Sequence, residues 1–209
     1  MTRFDLTAVR TRSWNSVVAA GLRTNPDLPL LTETFSLEPL ESIADRLLCL
    51  TAVASFSFGL PLSACRAWLE QEQLWNALSL GEKALLSGER EDLLAGQIVV
   101  HSIYALAWCV GAYASFDIQR KLPDDLVEAL PDLRVLEPTK VFRSRLSLRA
   151  IDMVLEQLDA AYCFHWAWRD RYLTGKSRGT NDMMVLAERR KALEWVVTGG
   201  DWDHVSLDT

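Results

Sequence analysis

Residue types able to do chemistry gather in the second half of the chain. His165, Trp166, Arg169 and Asp170 lie within LRAIDMVLEQLDAAYCFHWAWRDRYL (148–173), and Glu188, Arg189 and Arg190 lie within LAERRKALEWVV (186–197). An imidazole beside a carboxylate is the minimum for general acid–base work, and a nearby guanidinium would depress the imidazole pKa and keep it neutral as a base. Gln97, His101, Tyr104 and Trp108 recur at steps of four, three and four, so they share one helical face. His101, Tyr104, His165, Arg169 and Arg190 could together line a pocket whose aromatic walls and guanidinium groups suit a small anion. The same groups also make up a buried structural network, and a lone His on an apolar helix is more often a satisfied core residue. The structural reading leads, and no catalytic residue is assigned.

Other chemistries find less support. Cys163 and His165 stand two apart on a helix, so they point in different directions, and no HExxH or CxxC motif occurs. DWDH at 201–204 is a weak ligand cluster, and neither GxxxxGK nor GxSxG is present. No metal and no cofactor is expected.

The elements that must position these residues read as helices. A helical pattern starts at Ser36 and ends near Gly59-Leu60-Pro61, and Ser79-Leu80-Gly81-Glu82 matches a capping box. Leu93–Phe116 carries no charged side chain and is long enough to cross a bilayer, but Gln97, His101, Ser102 and Ser115 dilute it. It is expected to be the buried central helix, with no membrane partner. A long helix spans about Arg145–Leu173, and Asn181 or Asp182 caps the last one, Met183–Thr198, before Gly199-Gly200. The expected fold is all-α: a single-domain helical bundle, 36–209, around the apolar helix at about 93–116. Residues 1–35 are expected to form an irregular N-terminal arm holding at most a short helix near SWNSVVAAGL, and a C-terminal tail folds back on the last two helices.

The tail follows from a conflict inside those helices. The apolar stripe Leu148, Ile151, Leu155, Leu158, Tyr162 continues into His165 and Arg169, and Arg190 shares a face with Leu186, Leu193 and Val197. An unpaired buried guanidinium costs several kcal/mol or more. Past the glycine break, GGDWDHVSLDT supplies Asp201, Asp203 and Asp208 and an apolar anchor, Trp202. The expected latch pairs one of these carboxylates with Arg169, Arg189 or Arg190, and packs Trp202 beside Trp166 or Trp195.

With these residues in place, the chain resembles a bacterial family catalogued as domain of unknown function 4272. Its members share a helix with an HWA-R-D core, a helix with ER–ALxW, and a closing WD–DT. LSLGEKALL and ALAWCVG are similar to its upstream segments. The matching positions are His165, Trp166, Arg169, Asp170, Glu188, Arg189, Trp195, Trp202, Asp203, Asp208 and Thr209, and the resemblance covers about 40–209. At His101 this chain departs from a Glu common in the family, which puts in doubt any chemical role for that position. The resemblance implies the helical fold and no activity.

Totals bound the function. Hydrophobic residues at 49% and charged ones at 24% are globular values, and the net charge is −6. Residues 1–137 hold 11 basic and 18 acidic side chains, 138–198 hold 11 and 7, and the tail adds three acids. That balance disfavours nucleic acid as a partner, although Lys140, Arg143, Arg145 and Arg149 form a local basic run. MTRFDLTAVRTRSW does not read as a signal peptide, and Cys49, Cys65, Cys109 and Cys163 are scattered singly, so reduced thiols and a cytoplasmic location are expected. The leading functional reading is a non-catalytic protein-binding module, in concrete form an immunity protein whose acidic surface covers the basic cleft of a bacterial toxin. Glu70, Glu72, Glu89, Glu91 and Asp92, with Trp68 or Trp75 as anchors, form the candidate partner interface. The alternative is an enzyme or small-anion-binding domain using the His/Arg/aromatic pocket. Oligomeric state is not legible.

Overall fold

The apolar run at the centre of the sequence forms two helices rather than one. In the computed structural model, which describes residues 5–31, 36–89, 92–176 and 181–208, α5 (Leu93–Ile98) gives way at Val99 to α6 (Val100–Cys109). The helix stops well short of Phe116 because its last carbonyls are claimed by another segment. Ser147 and Arg149 donate backbone N–H groups to Val110 and Cys109, and Arg149 Nε donates to the Trp108 carbonyl at 3.1 Å. A guanidinium at a helix C-terminus also complements the axial dipole. Gly111, at φ +71°, then reverses the chain.

Six further helices place α6 at the middle of a bundle: α1 (Leu6–Ala19), α2 (Leu40–Ser57), α3 (Leu62–Gln71), α4 (Leu80–Leu86), α7 (Thr139–Arg143) and α8 (Ile151–Leu173), with α9 (Asn181–Thr198) completing the set. Among the described residues there is no strand. α6 packs between α2 and α9, α9 packs on α8, and α8 packs on α1, while α3 and α4 cover the other side of α2. α2 is therefore apolar nearly all round. Ile43, Leu47 and Leu50 enter the main core, whereas Leu48, Ala52 and Val53 join a second cluster with Trp68 and Leu86. The result is an all-α helical bundle around a buried apolar helix. No helix of the described residues is long and apolar enough to cross a membrane.

Three boundaries differ from the sequence reading, each for a local reason. α2 starts at Leu40, four residues after Ser36, because Glu38 precedes Pro39 and the residue before a proline is driven out of helical geometry. The extended strap crosses the end of α9, where Glu38 N donates to the Val196 carbonyl at 2.8 Å. α8 starts at Ile151, so Leu148 and Ile151 are over a third exposed and the buried stripe begins at Leu155. The largest correction is at the start: residues 6–19 are a regular helix, where an irregular arm was expected. Its Arg10 reaches Asp159 on α8 at 2.8 Å, both side chains almost wholly buried, and donates to the carbonyls of Leu28 and Pro29.

This ion pair leaves no charge uncompensated on the α1–α8 seam. Replacing Asp159 with Ala strands the guanidinium in the core. The variant should lose about 3–5 kcal/mol, read as a shift of the urea midpoint followed by tryptophan fluorescence.

Candidate functional site

α9 carries two consecutive arginines, and at about 100° per residue they address different neighbours. Arg189, 0% exposed, turns toward α6. Its Nη1 donates to the carbonyls of Asp117 (3.0 Å) and Ile118 (2.8 Å), its Nη2 faces His101 Nδ1 at 3.3 Å, and its guanidinium lies 5.3 Å from the Tyr104 ring centroid. The Tyr104 hydroxyl accepts from Asp117 N and holds the same loop. Among the described residues no carboxylate is within ion-pair distance of Arg189, and burial lowers its pKa. Its Nε is buried without a hydrogen-bond partner among them.

Arg190, 3% exposed, turns toward α8. It bonds Glu194 at 3.0 Å, faces His165 Nδ1 at 3.1 Å, stacks 4.5 Å from the Tyr162 ring centroid, and donates to the carbonyls of Leu207 (3.1 Å) and Asp208 (3.0 Å). The tail does fold back onto Arg190, then, but it presents main-chain oxygens. Asp208 turns its carboxylate to the Ser206 hydroxyl, and Asp201 serves Asp203 N and His204. Carbonyls solve the burial problem without importing a second charge that must itself be desolvated. The expected carboxylate pairing is corrected on this point, and Arg189 is served by the 117–118 loop, not by the tail.

The pairing also fixes the imidazoles. A donating guanidinium makes each Nδ1 an acceptor, which leaves the ring proton on Nε2. Burial first, then the adjacent guanidinium, push both rings down to about 4, with Arg169 adding to the effect at His165. His101 and His165 thus belong to separate clusters on different sides of α9, so they do not share the single pocket expected from the sequence; a cavity of about 230 Å³ is bordered by Arg190, Tyr162 and Glu194, with neither histidine in its lining. Asp170 faces outward to Arg23 (3.4 Å), and Trp166 is half-buried at the rim of the core.

The tail's second anchor is Trp202 beside Trp195, as expected from the sequence, whereas its further partners Arg46, Lys191 and Gly81 were not predicted there. Gly199 and Gly200, at φ +67° and +85°, turn the chain, and Trp195 Nε1 donates to the Gly200 carbonyl. Trp202 is buried edge-on to Trp195, with ring centroids 5.6 Å apart and an interplanar angle of 79°. Arg46 lies 5.3 Å and Lys191 Nζ 4.6 Å from its centroid. Arg46 is in turn clamped by both Glu82 oxygens, the same carboxylate that closes the capping box with Ser79. Asp203 accepts from Gly81 N at 3.0 Å. The tail therefore ties α9 to the start of α4. A cavity of about 220 Å³ sits beside it, bordered by Glu188, Lys191, Trp202 and Asp203 over an apolar floor of Leu50, Val53 and Leu85. Neither histidine lines it. Glu188 is bonded to Ser102 on α6 at 2.7 Å. Arg46 had one legible signal, its place on the buried face between Ile43 and Leu50; the other partners are set by contacts distant in sequence.

The candidate partner interface is also revised. Trp68 is fully buried, its indole donating to the Glu137 carbonyl, and Glu72 accepts from Thr139 and Gln71, so neither is free to meet a partner. Trp75 is half-buried under Arg66, while Glu70, Glu89 and Asp92 are exposed. Glu91 and Thr209 lie outside the described residues. Among those described, no group of three or more His, Cys, Asp or Glu side chains could hold a metal ion.

The sequence model of the family described as Domain of unknown function (DUF4272) matches residues 10–205, and the chain belongs to that family. No curated protein and no solved structure matches it.

Two outcomes follow from this geometry. Truncation after Gly200 removes Trp202 from its socket and the carbonyls from Arg190. It should destabilise by at least as much as Trp202→Ala, about 3–5 kcal/mol, by urea denaturation. The histidines set a pH dependence. Both are held near 4 when folded and titrate near 6.5 when unfolded. The unfolded chain binds the extra protons as pH falls, so their contribution is intact above about 6.5 and lost progressively toward 4. The urea midpoint should therefore drop between pH 7.5 and 5.0, and His165→Gln should lower more at pH 7.5 than at pH 5.0.

Proposed function

We propose that this domain is a non-catalytic protein-binding module that meets its partner through an acidic surface. The observation that carries this reading is the state of the groups most able to do chemistry. Each imidazole has its Nδ1 lone pair facing an arginine, and at a pKa of about 4 it is neutral at physiological pH. It offers neither an available Nδ1 base nor an acidic proton. The thiols of Cys49, Cys109 and Cys163 are pushed by burial up to about 12, and that of Cys65 to about 11, which keeps them protonated and unreactive. Arg190 directs its donors at Glu194, His165 and the tail, so the small-anion alternative has no guanidinium donor left to it there.

Charge supports the same reading. Arg10, Arg46, Arg189 and Arg190 are buried or nearly so, and Arg143 is tied to Glu41 and Asp45. Within the basic run at 140–149, Arg143 and Arg149 are engaged by the fold while Lys140 and Arg145 stay exposed, so the net charge of −6 sets the sign of the surface as a whole. Such a field speeds encounter with a basic partner and repels nucleic acid and anionic lipid. The concrete form we propose is an immunity protein acting in the bacterial cytoplasm, masking the basic cleft of a toxin.

Affinity capture with the full-length protein from its native host, followed by binding kinetics with the retained partner, tests this. The expected result is a basic partner whose association slows about tenfold or more between roughly 0.05 and 0.5 M salt, unaffected by His165→Gln. Turnover of any substrate that His165→Gln abolishes would overturn it.

A further inference from the structure

We propose that the groove between the end of α2 and the 126–137 segment is the docking site, and that its occupant is a basic, apolar-anchored segment of a partner protein. This rests on the binding-module reading and names where and what it binds. The groove encloses about 670 Å³, within the range of pockets that take a ligand or an anchoring side chain. Its rim presents large apolar side chains to water on both sides: Phe58, 64% exposed, from the C-cap of α2, and Val127, 71% exposed, from the 3-10 turn Leu126–Ala129 opposite. Val135, 71% exposed, stands on the next turn. Apolar groups clustered around a concavity and rimmed by charge mark an interaction surface.

The walls are preformed. Phe58 is followed by Gly59 at φ +102°, a conformation that fixes the sharp turn after α2. Across the groove Leu136 is held at φ +51°, unusual for a bulky residue. Gln71 Nε2 donates to its carbonyl, and the buried Trp68 donates to that of Glu137. The turn that shows Val135 to solvent is thus anchored from beneath by α3. Preformed walls reduce the ordering cost of binding.

Charge selects the occupant. The lining holds three carboxylates, Glu128, Asp132 and Glu137, against one guanidinium, Arg134, which is bonded to Asp132 at 2.8 Å. The negative end of the eighteen-residue α2 dipole adds to the same sign. A segment bearing Lys or Arg beside apolar anchors complements this surface, whereas an anionic membrane does not.

Fluorescence anisotropy of the full-length protein with two labelled amphipathic peptides, one of Leu and Lys and one of Leu and Glu, tests the assignment. The Leu/Lys peptide should bind at least about tenfold tighter than its acidic counterpart, and weaken several-fold in Glu128→Lys. Phe58→Ser should cost about 30-fold, the scale of an interface anchor, with Val127→Ser as an independent variant and Asp27→Lys, exposed on the loop after α1 and outside the groove, without effect. Equal binding of the two peptides would overturn the proposal. So would indifference to both apolar substitutions, a dimer that Phe58→Ser dissolves, or phosphatidylserine vesicle binding that it abolishes. If Phe58→Ser still binds the captured partner at full strength, the groove assignment fails while the module reading stands. If no partner is captured yet the peptide behaves as stated, the groove stands and the module reading fails.

Discussion

A guanidinium cannot be left unsolvated inside an apolar bundle, and this chain places two of them side by side on its last helix. Much of the second half of the fold is arranged around that constraint. Arg189 draws in the loop after α6, whose Asp117 and Ile118 carbonyls and His101 ring replace water. Arg190 draws in Glu194, His165 and the tail. Because the two point about 100° apart around α9, they join it to α6 in one direction and to α8 in the other. The acceptors are mostly neutral. A carbonyl dipole compensates a positive charge without the desolvation cost that a second buried ion would add.

The same economy recurs wherever a basic side chain goes inside. Arg149 closes the carbonyl end of α6, and Arg10 combines one carboxylate with two carbonyls. Arg46 is held by Glu82 and the Ala77 carbonyl while its planar face lies toward Trp202. Long cationic side chains here act as cross-links between elements far apart in sequence. Arg10, Arg189 and Arg190 are thereby withdrawn from the surface. Phe58 and Val127, both well exposed, border a concavity that also holds Glu128, Asp132 and Glu137.

In the proposed reading, binding and stability are carried by different parts of the molecule. The residues that look most like an active site, His101 and His165 with their arginines, are those whose lone pairs and donors the fold already engages. The surface at the end of α2 is the reverse case. Phe58, Val127 and Val135 contribute little burial to the core, and the turn that holds Val135 is fixed from below by Gln71 and Trp68. The family model matches residues 10–205, a span that includes α2 to α9 and Trp202, which serve the folded core.

Local pattern alone determined the all-α class, the capping box at Ser79–Glu82, the buried face Leu186–Arg190–Leu193–Val197, and the return of the segment after Gly199-Gly200. Each is written within a few residues, by periodicity, a cap or a glycine break, and so needs no knowledge of distant neighbours. The conflict posed by Arg190 was legible for the same reason: a charge on an apolar stripe demands an acceptor. Which acceptor answers was not, because a main-chain carbonyl leaves no mark in sequence, whereas aspartates do and so drew attention to themselves. The Arg10–Asp159 pair escaped notice because its members lie 149 residues apart, with nothing local to join them. The early end of the central helix at Cys109 depended on the segment 147–149 arriving to take the last carbonyls. Whether Trp68 or Phe58 faces solvent was likewise settled by packing: each is an aromatic in a helical stretch, and only the arrangement of α2 and α3 buries the first and exposes the second.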